Sequence, residues 1–301
     1  AMVPLFEAHK RFVLSCPVLH ADETPVSLLD PGAGKTKRAY IWAYARGEFD
    51  AQRGVIYEFC LGRGSQYPVA FLGAAQGPPS PSPGLQLEDL PAWQGTMVCD
   101  QYAGYGAVLD KRVYPQRIAA HCVAHARRKF DELVGTSEVA KAAIKRIGWI
   151  YHVEGQFDGM DASQRRAARH ELTAPLWKEL HVWLKLERGR VPDGGSIAAA
   201  IDYSLNSWPA LTRHLEDGAV PIDNNFIERQ IKPWAMGRRA WLFCGSELAG
   251  QRAAVVMSLV QSAKLCGHDP HAYLNDVLDR LPTHPANRIG ELLPHLWQPR
   301  G

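Results

Sequence analysis

A chain of 301 residues is long enough for one large domain with an insertion, or for two modest domains. Hydrophobic residues make up 46% of it, so a sizeable core can be buried, and a formal charge of +3 is too small to announce nucleic-acid binding by composition alone. No stretch approaches the roughly 18 apolar residues of a membrane span, there is no signal-peptide pattern, and the six cysteines have no disulfide-framework or four-ligand zinc spacing. These features predict a soluble, reduced, cytoplasmic protein whose nucleic-acid contacts, if it has any, come from local basic clusters.

In chain order, Val18–Asp22, Ala39–Tyr44 and Val55–Cys60 read as three strands, rich in β-branched and aromatic residues and separated by glycine-containing turns. Three strands in a row predict an antiparallel meander. A short helix over Gln66–Leu72 crosses to a fourth strand, Gly95–Cys99, and after a helix near Tyr105–Asp110 a fifth strand follows at Arg117–His121. Between them, residues 77–84 (Gly-Pro-Pro-Ser-Pro-Ser-Pro-Gly) cannot sustain a helix or a central strand and are expected to form a surface loop.

From about residue 124 to residue 217 the pattern becomes helical, with segments over 126–134, 139–157, 163–187 and 196–215. The spacing of Leu176, Leu180, Trp183 and Leu184 is that of a helix packed into a core. Two further helices, 249–265 and 270–280, close the chain, and there is no internal repeat.

Two motifs are decoys. Gly32-Ala-Gly-Lys-Thr36 resembles the end of a phosphate-cradling loop, but the first glycine of that motif is replaced by Leu29 and a strand follows where a helix is required. Lys35 and Lys37 are better read as DNA-phosphate contacts on a hairpin. Cys122 and His125 have half of a zinc-site spacing without the second half.

Three acidic residues stand in distinctive surroundings: Asp22 in His-Ala-Asp-Glu-Thr-Pro, Asp100 in Met-Val-Cys-Asp-Gln-Tyr-Ala-Gly-Tyr, and Glu228 in Asp-Asn-Asn-Phe-Ile-Glu-Arg. Asp22 and Asp100 each follow an apolar strand-like run, and Glu228 falls in the first turns of a helix. Such carboxylates can gather at one sheet edge and bind hard divalent cations, a pair of which can activate an attacking oxygen and stabilise a leaving one. Each also has a plainer reading: the aspartates can cap turns, and Asn225 to Glu228 has the spacing of a capping box. Basic residues cluster nearby at Arg229, Lys232, Arg238 and Arg239.

These segments, together with residues 31–37, 122–130 and 237–246, resemble the transposases of the insertion sequence 66 family, and residues 262–274 with 280–285 resemble that family's C-terminal element. The resemblance implies an Asp-Asp-Glu transposase of α/β class: a ribonuclease-H-like mixed sheet flanked by helices, an all-helical insertion between the second Asp and the Glu, and a helical C-terminal region. The implied division is a core over 1–123 and 218–248, an insertion over 124–217 and a C-terminal element over 249–301.

By the same resemblance Asp22, Asp100 and Glu228 are catalytic and bind Mg2+, with Mn2+ as substitute. From their position beside the acidic site, Lys35, Lys37, Arg229, Lys232, Arg238 and Arg239 are expected to contact DNA phosphates; by the resemblance Cys122 and His125 brace the insertion against the core, and Asn224 and Asn225 are expected to orient the start of the Glu228 helix. The implied partners are transposon-end and target DNA, further copies of the chain and helper proteins from the same element, with action at the bacterial nucleoid. The resemblance also implies an upstream DNA-reading region ahead of this chain. A repurposed, catalytically inactive DNA-binding protein is the alternative.

Overall fold

Alternating β-branched, aromatic and small residues draw the N-terminal third into a meander of three strands, β1 (Val18–Asp30), β2 (Lys35–Arg46) and β3 (Val55–Cys60). The structure, a computed structural model, describes residues 2–73 and 92–300. Strands β4 (Gly95–Cys99) and β5 (Arg117–His121) complete a five-stranded sheet in the order β3-β2-β1-β4-β5. This is the expected fold class, a ribonuclease-H-like sheet flanked by helices. The expected loop over 77–84 lies outside the described residues.

The chain divides into two compact units. The first comprises residues 1–97, 102–118 and 226–301; the second comprises 98–101 and 119–225.

In the first unit the sheet has two distinct faces because side chains alternate along each strand. Val26 and Leu28 of β1, Ile41 and Ala43 of β2 and Tyr57 of β3 pack against Phe226, Ile227, Ile231 and Trp234 of helix α10 (Asn225–Trp241). On the opposite face Tyr44 stacks on Phe71 of α2 (Gln66–Leu72), with ring centroids 4.0 Å apart, and Trp42 meets Tyr105 edge-on.

β3 would end the sheet with unpaired amides, an invitation to aberrant pairing. Helix α11 (Glu247–Leu265) occupies that place instead. The Ser258 hydroxyl accepts the Tyr57 N–H at 2.8 Å and the Ser262 hydroxyl accepts the Val55 N–H at 3.0 Å. Close approach is possible because residue 250 is glycine: a Cβ there would lie 2.4 Å from the Phe59 ring. Helix α12 (Pro270–Arg280) and the following residues pack Tyr273, Val277, Leu292 and Trp297 around Leu5 of the N-terminal helix α1 (Val3–Leu14).

The second unit is built from α3 (Val123–Asp131), α4 (Glu138–Glu154), α5 (Ala162–Ala168), a π-helical turn at Arg169–Thr173, α6 (Ala174–Arg188), α7 (Ser196–Asn206), α8 (Trp208–Leu211) and α9 (Arg213–Glu216). Its core includes Phe130, Ile147, Trp177, Leu184 and Ile201. Arg169, fully buried, forks onto Glu154 at 2.9 Å and donates to the carbonyls of His214 and Val220 at 2.7 and 2.8 Å. Arg165 donates to the Gly218 carbonyl at 2.7 Å. Two guanidinium groups thus replace the secondary-structure bonds that the segment after α9 lacks.

Several expected elements differ from the structure. β1 runs on to Asp30, so Asp22 is interior to a strand and does not follow one; pairing with β2 and the burial of Val26 and Leu28 against α10 carry the strand past Pro25. The helix expected at 105–110 is absent: Ala103–Tyr105 forms one 3-10 turn, which contains Gly104 and is followed by Gly106, and both glycines disfavour helix. The expected single helix over 196–215 is three pieces, since Pro209 cannot donate within a continuing helix. The segment 163–187 carries the π turn in its middle, and α1 has no counterpart among the expected elements. Among the described residues no helix is long and apolar enough to cross a membrane.

Two outcomes are expected. Replacing Ser258 or Ser262 with alanine strips a buried β3 amide of its acceptor and should lower stability by about 1–3 kcal/mol each, measured by urea denaturation; unchanged midpoints would show that α11 does not seal the edge.

The second concerns pH. Burial holds the His9 and His295 imidazoles down at about 4 and His214 at about 3, against an ordinary value of 6.5. The unfolded chain therefore binds more protons below 6.5, and stability should fall steadily as pH drops from there towards 4 and below. Melting temperatures that stay flat between about pH 7 and about pH 4.5 would contradict this.

Candidate active site

Asp22 shares a sheet face with His20, Thr24, Val26 and Leu28, the face that α10 covers. Two contacts bracket it. His20 meets Phe226, one helical residue after the start of α10, with ring centroids 5.3 Å apart. Towards the other end of α10, Arg238 donates to the Thr24 hydroxyl at 3.2 Å and the Pro25 carbonyl at 2.7 Å. The helix therefore lies along β1 with its first turn, which carries Glu228, at the Asp22 end. Both carboxylates are half-buried, and the Asp22 Oδ1 accepts the Glu23 N–H at 2.8 Å.

The neighbour, Glu23, points to the other face and has a different task. Its carboxylate is almost fully buried, accepts the Tyr105 hydroxyl at 2.8 Å and pairs with Arg63. Arg63 in turn lies 3.6 Å over the Tyr102 ring, and the Tyr102 hydroxyl donates to the Arg63 carbonyl. Sequence reasoning missed this cluster, although Glu23, Tyr102 and Tyr105 sit inside the two aspartate motifs. It fixes the chain on either side of the first unit's share of those motifs.

The second unit holds the other part. Asp100 directly follows β4, the strand next to β1 in the order of the sheet. The adjacent Gln101 is anchored by donating to the Tyr203 carbonyl at 3.0 Å and the Ser207 hydroxyl at 2.6 Å, at the end of α7. Burial pulls the His121 imidazole below its ordinary value, while the Asp100 carboxylate pulls the other way. Burial, then Asp100, raises the Tyr203 phenol to about 12.

Within this unit Cys122 and Asn224 meet: the Cys122 sulfur accepts the Asn224 N–H at 3.1 Å, and the Val123 N–H reaches the Ile222 carbonyl. His125 lies in the first turn of α3, half-buried. Asp223 is a residue the sequence reasoning passed over. Its Oδ1 accepts the Asn225 N–H at 2.9 Å, and its Oδ2 accepts the Tyr151 hydroxyl at 3.0 Å and the Asn225 side chain at 2.8 Å. The Asx pattern starts α10 at Asn225, so Asn225 is the first helical residue and not its cap. The capping-box spacing from Asn225 to Glu228 is out of register by one. Beside this start, Arg127, Arg128, Tyr151 and Asn225 line a groove of about 500 Å³.

The basic residues fall into different situations. Lys35 and Lys37 lie exposed on the β1–β2 hairpin, Lys37 at 3.8 Å from Asp30. Arg229, Lys232 and Arg239 follow one exposed strip of α10, with Arg229 ion-paired to Glu48 at 2.9 Å. Arg238 is turned onto β1 by the bonds described above.

Residues 1–252 match the family model described as the IS66 family of transposases, and residues 258–295 match the IS66 C-terminal element. Among curated proteins, the uncharacterized proteins y4hP and y4jD of Sinorhizobium fredii are 32% and 31% identical over 99% and 98% of this chain. A third from that organism, y4qI, is 33% identical over 93% of it. The chain spans about half the length of these relatives, 54%, 56% and 50% respectively. With family models covering nearly its whole length, on a ribonuclease-H-like sheet, the chain belongs to the IS66 family of transposases.

Proposed function

We propose that this chain is the catalytic core of a DNA transposase, which cleaves phosphodiesters at transposon ends and joins the released 3′ end to target DNA. The observation that carries the reading is the lie of α10 along β1, which brings the first-turn Glu228 to the Asp22 end of the same sheet face. Asp100 is the third member, supported by the adjacency of β4 to β1.

In this reading water attacks the phosphorus at the transposon end, the P–O bond to the 3′ oxygen breaks, and that oxygen leaves with a proton as a 3′ hydroxyl. The hydroxyl then attacks a target phosphodiester, releasing a target 3′ hydroxyl. Three carboxylates form an all-oxygen donor set suited to Mg2+ or Mn2+, so Asp22, Asp100 and Glu228 would hold the metal; when bound, it supplies charge stabilisation of the attacking and leaving oxygens. The protein's further share is positioning, which dominates phosphoryl transfer. Asp223, Tyr151 and Cys122 set the start of the Glu228 helix, and Gln101 holds the Asp100 turn.

Lys35, Lys37, Arg229, Lys232 and Arg239 would meet DNA phosphates, while Arg238 holds α10 to β1. Self-association on DNA, helper proteins and a cytoplasmic site of action belong to the same proposal. Asp22→Asn, Asp100→Asn and Glu228→Gln should each abolish metal-dependent nicking of a supercoiled plasmid, with melting temperature and DNA affinity nearly kept. Full activity in the Glu228→Gln protein would assign that residue a structural role. Absence of nicking by the unmodified chain would favour a repurposed DNA-binding protein.

A further inference from the structure

We infer that Trp241-Leu242-Phe243, which follows α10, is an apolar wedge that stacks against unpaired DNA bases beside the basic strip of that helix. The inference rests on the DNA-processing reading above and adds a contact site to it.

The backbone gives the first indication. Leu242 has φ 64° and is the one non-glycine residue with positive φ among the described residues. The Phe243 N–H closes a three-residue turn onto the Trp241 carbonyl at 2.7 Å. This form of γ-turn is rare, and an apolar, branched side chain in that region persists only where its surroundings impose it.

Both flanks impose it here. Trp241 folds back over Gly237, where a Cβ would lie 2.6 Å from the indole nitrogen, and its ring meets Trp234 at 6.4 Å. On the other side the Cys244 N–H donates to the Ser27 carbonyl at 2.8 Å, and the Leu29 N–H donates to the Cys244 carbonyl at 2.9 Å. The turn is thus clamped between a packed helix end and a strand.

What the clamped turn displays is apolar and open to solvent. Leu242 is 64% exposed, Phe243 41% and Trp241 39%, and Met236, one turn back on the helix, is 62% exposed. A rigid apolar projection held at the cost of backbone strain marks a contact surface more than a tolerated accident.

Charge selects the occupant. Arg229, Lys232, Met236 and Arg239 recur at helical spacing on the exposed strip that leads to the turn. Lys37, about half exposed, pairs across the hairpin with Leu28, the residue bridged to Cys244. The acidic neighbours are Glu48, paired with Arg229 at 2.9 Å, Asp30, 3.8 Å from Lys37, and Glu247 at the start of α11, which leaves Lys232 and Arg239 as the cations nearest the turn. A backbone-tracking basic strip that ends in aliphatic and aromatic side chains is the combination that binds single-stranded nucleic acid, phosphates on the cations and bases on the apolar groups. A duplex whose bases stay stacked would offer nothing to Leu242 and Phe243.

The test compares, at fixed salt, binding of the 301-residue chain to a blunt duplex and to the same duplex with a short unpaired tail carrying 2-aminopurine. The unmodified chain should bind the tailed duplex about tenfold more tightly, the scale of one base stack, and should change the 2-aminopurine emission. Phe243→Ser and Leu242→Gly should each remove that preference and the emission change while blunt-duplex affinity stays the same. Leu242→Gly also relieves the positive φ, so a melting temperature equal to or above that of the unmodified chain separates lost contact from lost fold. An unmodified chain without tail preference, or variants that keep it, overturns the inference. So does a change of sedimentation from dimer to monomer in the variants with DNA preference unchanged, which would assign the turn to a second copy. Failure of the unmodified chain to bind either DNA would instead overturn the DNA-processing reading itself.

Discussion

The arrangement depends on one packing contact: helix α10 laid on the small-residue face of the β1–β2–β3 meander. Ala39, Ala43 and Ala45 line that face, leaving room for Phe226, Ile231 and Trp234 to pack against Ile41 and Tyr57. Burial of each large side chain is worth about 1.5–3 kcal/mol, enough to hold α10 continuous although Pro233 removes one of its hydrogen bonds. Because the helix is fixed in rotation by these groups, the next residue after Ile227 has a fixed direction as well. Glu228 owes its place to its apolar neighbours.

Around that contact, polar groups are used where regular structure stops. Ser258 and Ser262 finish the β3 edge, Arg169 and Arg165 hold the carbonyls between α9 and α10, and Arg117, fully buried, gathers the carbonyls of Leu72, Gly73 and Trp93. Each is a case in which a buried backbone group has been given a side-chain partner in place of water. The match to the IS66 C-terminal element begins at Ser258, so residues of that element contribute directly to sealing the sheet.

The parts legible in the sequence are those with strong local patterns. β3, α2, β4, β5 and α12 were readable to the residue because apolar runs end there at glycine, proline or charge. The tip of the β1–β2 hairpin was not, since Lys35–Arg38 are exposed and polar and are held in the strand by their pairing with β1. Pro209 and the glycines at 104 and 106 mark two of the breaks locally, whereas the break at Thr212 and the π turn come with Thr212 and Thr173 hydroxyls bonding back to carbonyls four residues earlier, which periodicity does not encode. As for the candidate site, the three acidic motifs stood out, but the reasons for their flanking residues did not. Glu23, Gln101, Tyr102 and Asp223 act on partners 39 to 106 positions away, or on the helix start itself, and only the fold reveals those partners.

The central claim is that Asp22, Asp100 and Glu228 together form a divalent-cation site. Anomalous diffraction from crystals soaked in manganese tests it most directly. The account predicts manganese bound by carboxylate oxygens of all three residues, and its loss in the Glu228→Gln protein. Manganese bound elsewhere, or bound without Glu228, would contradict the claim.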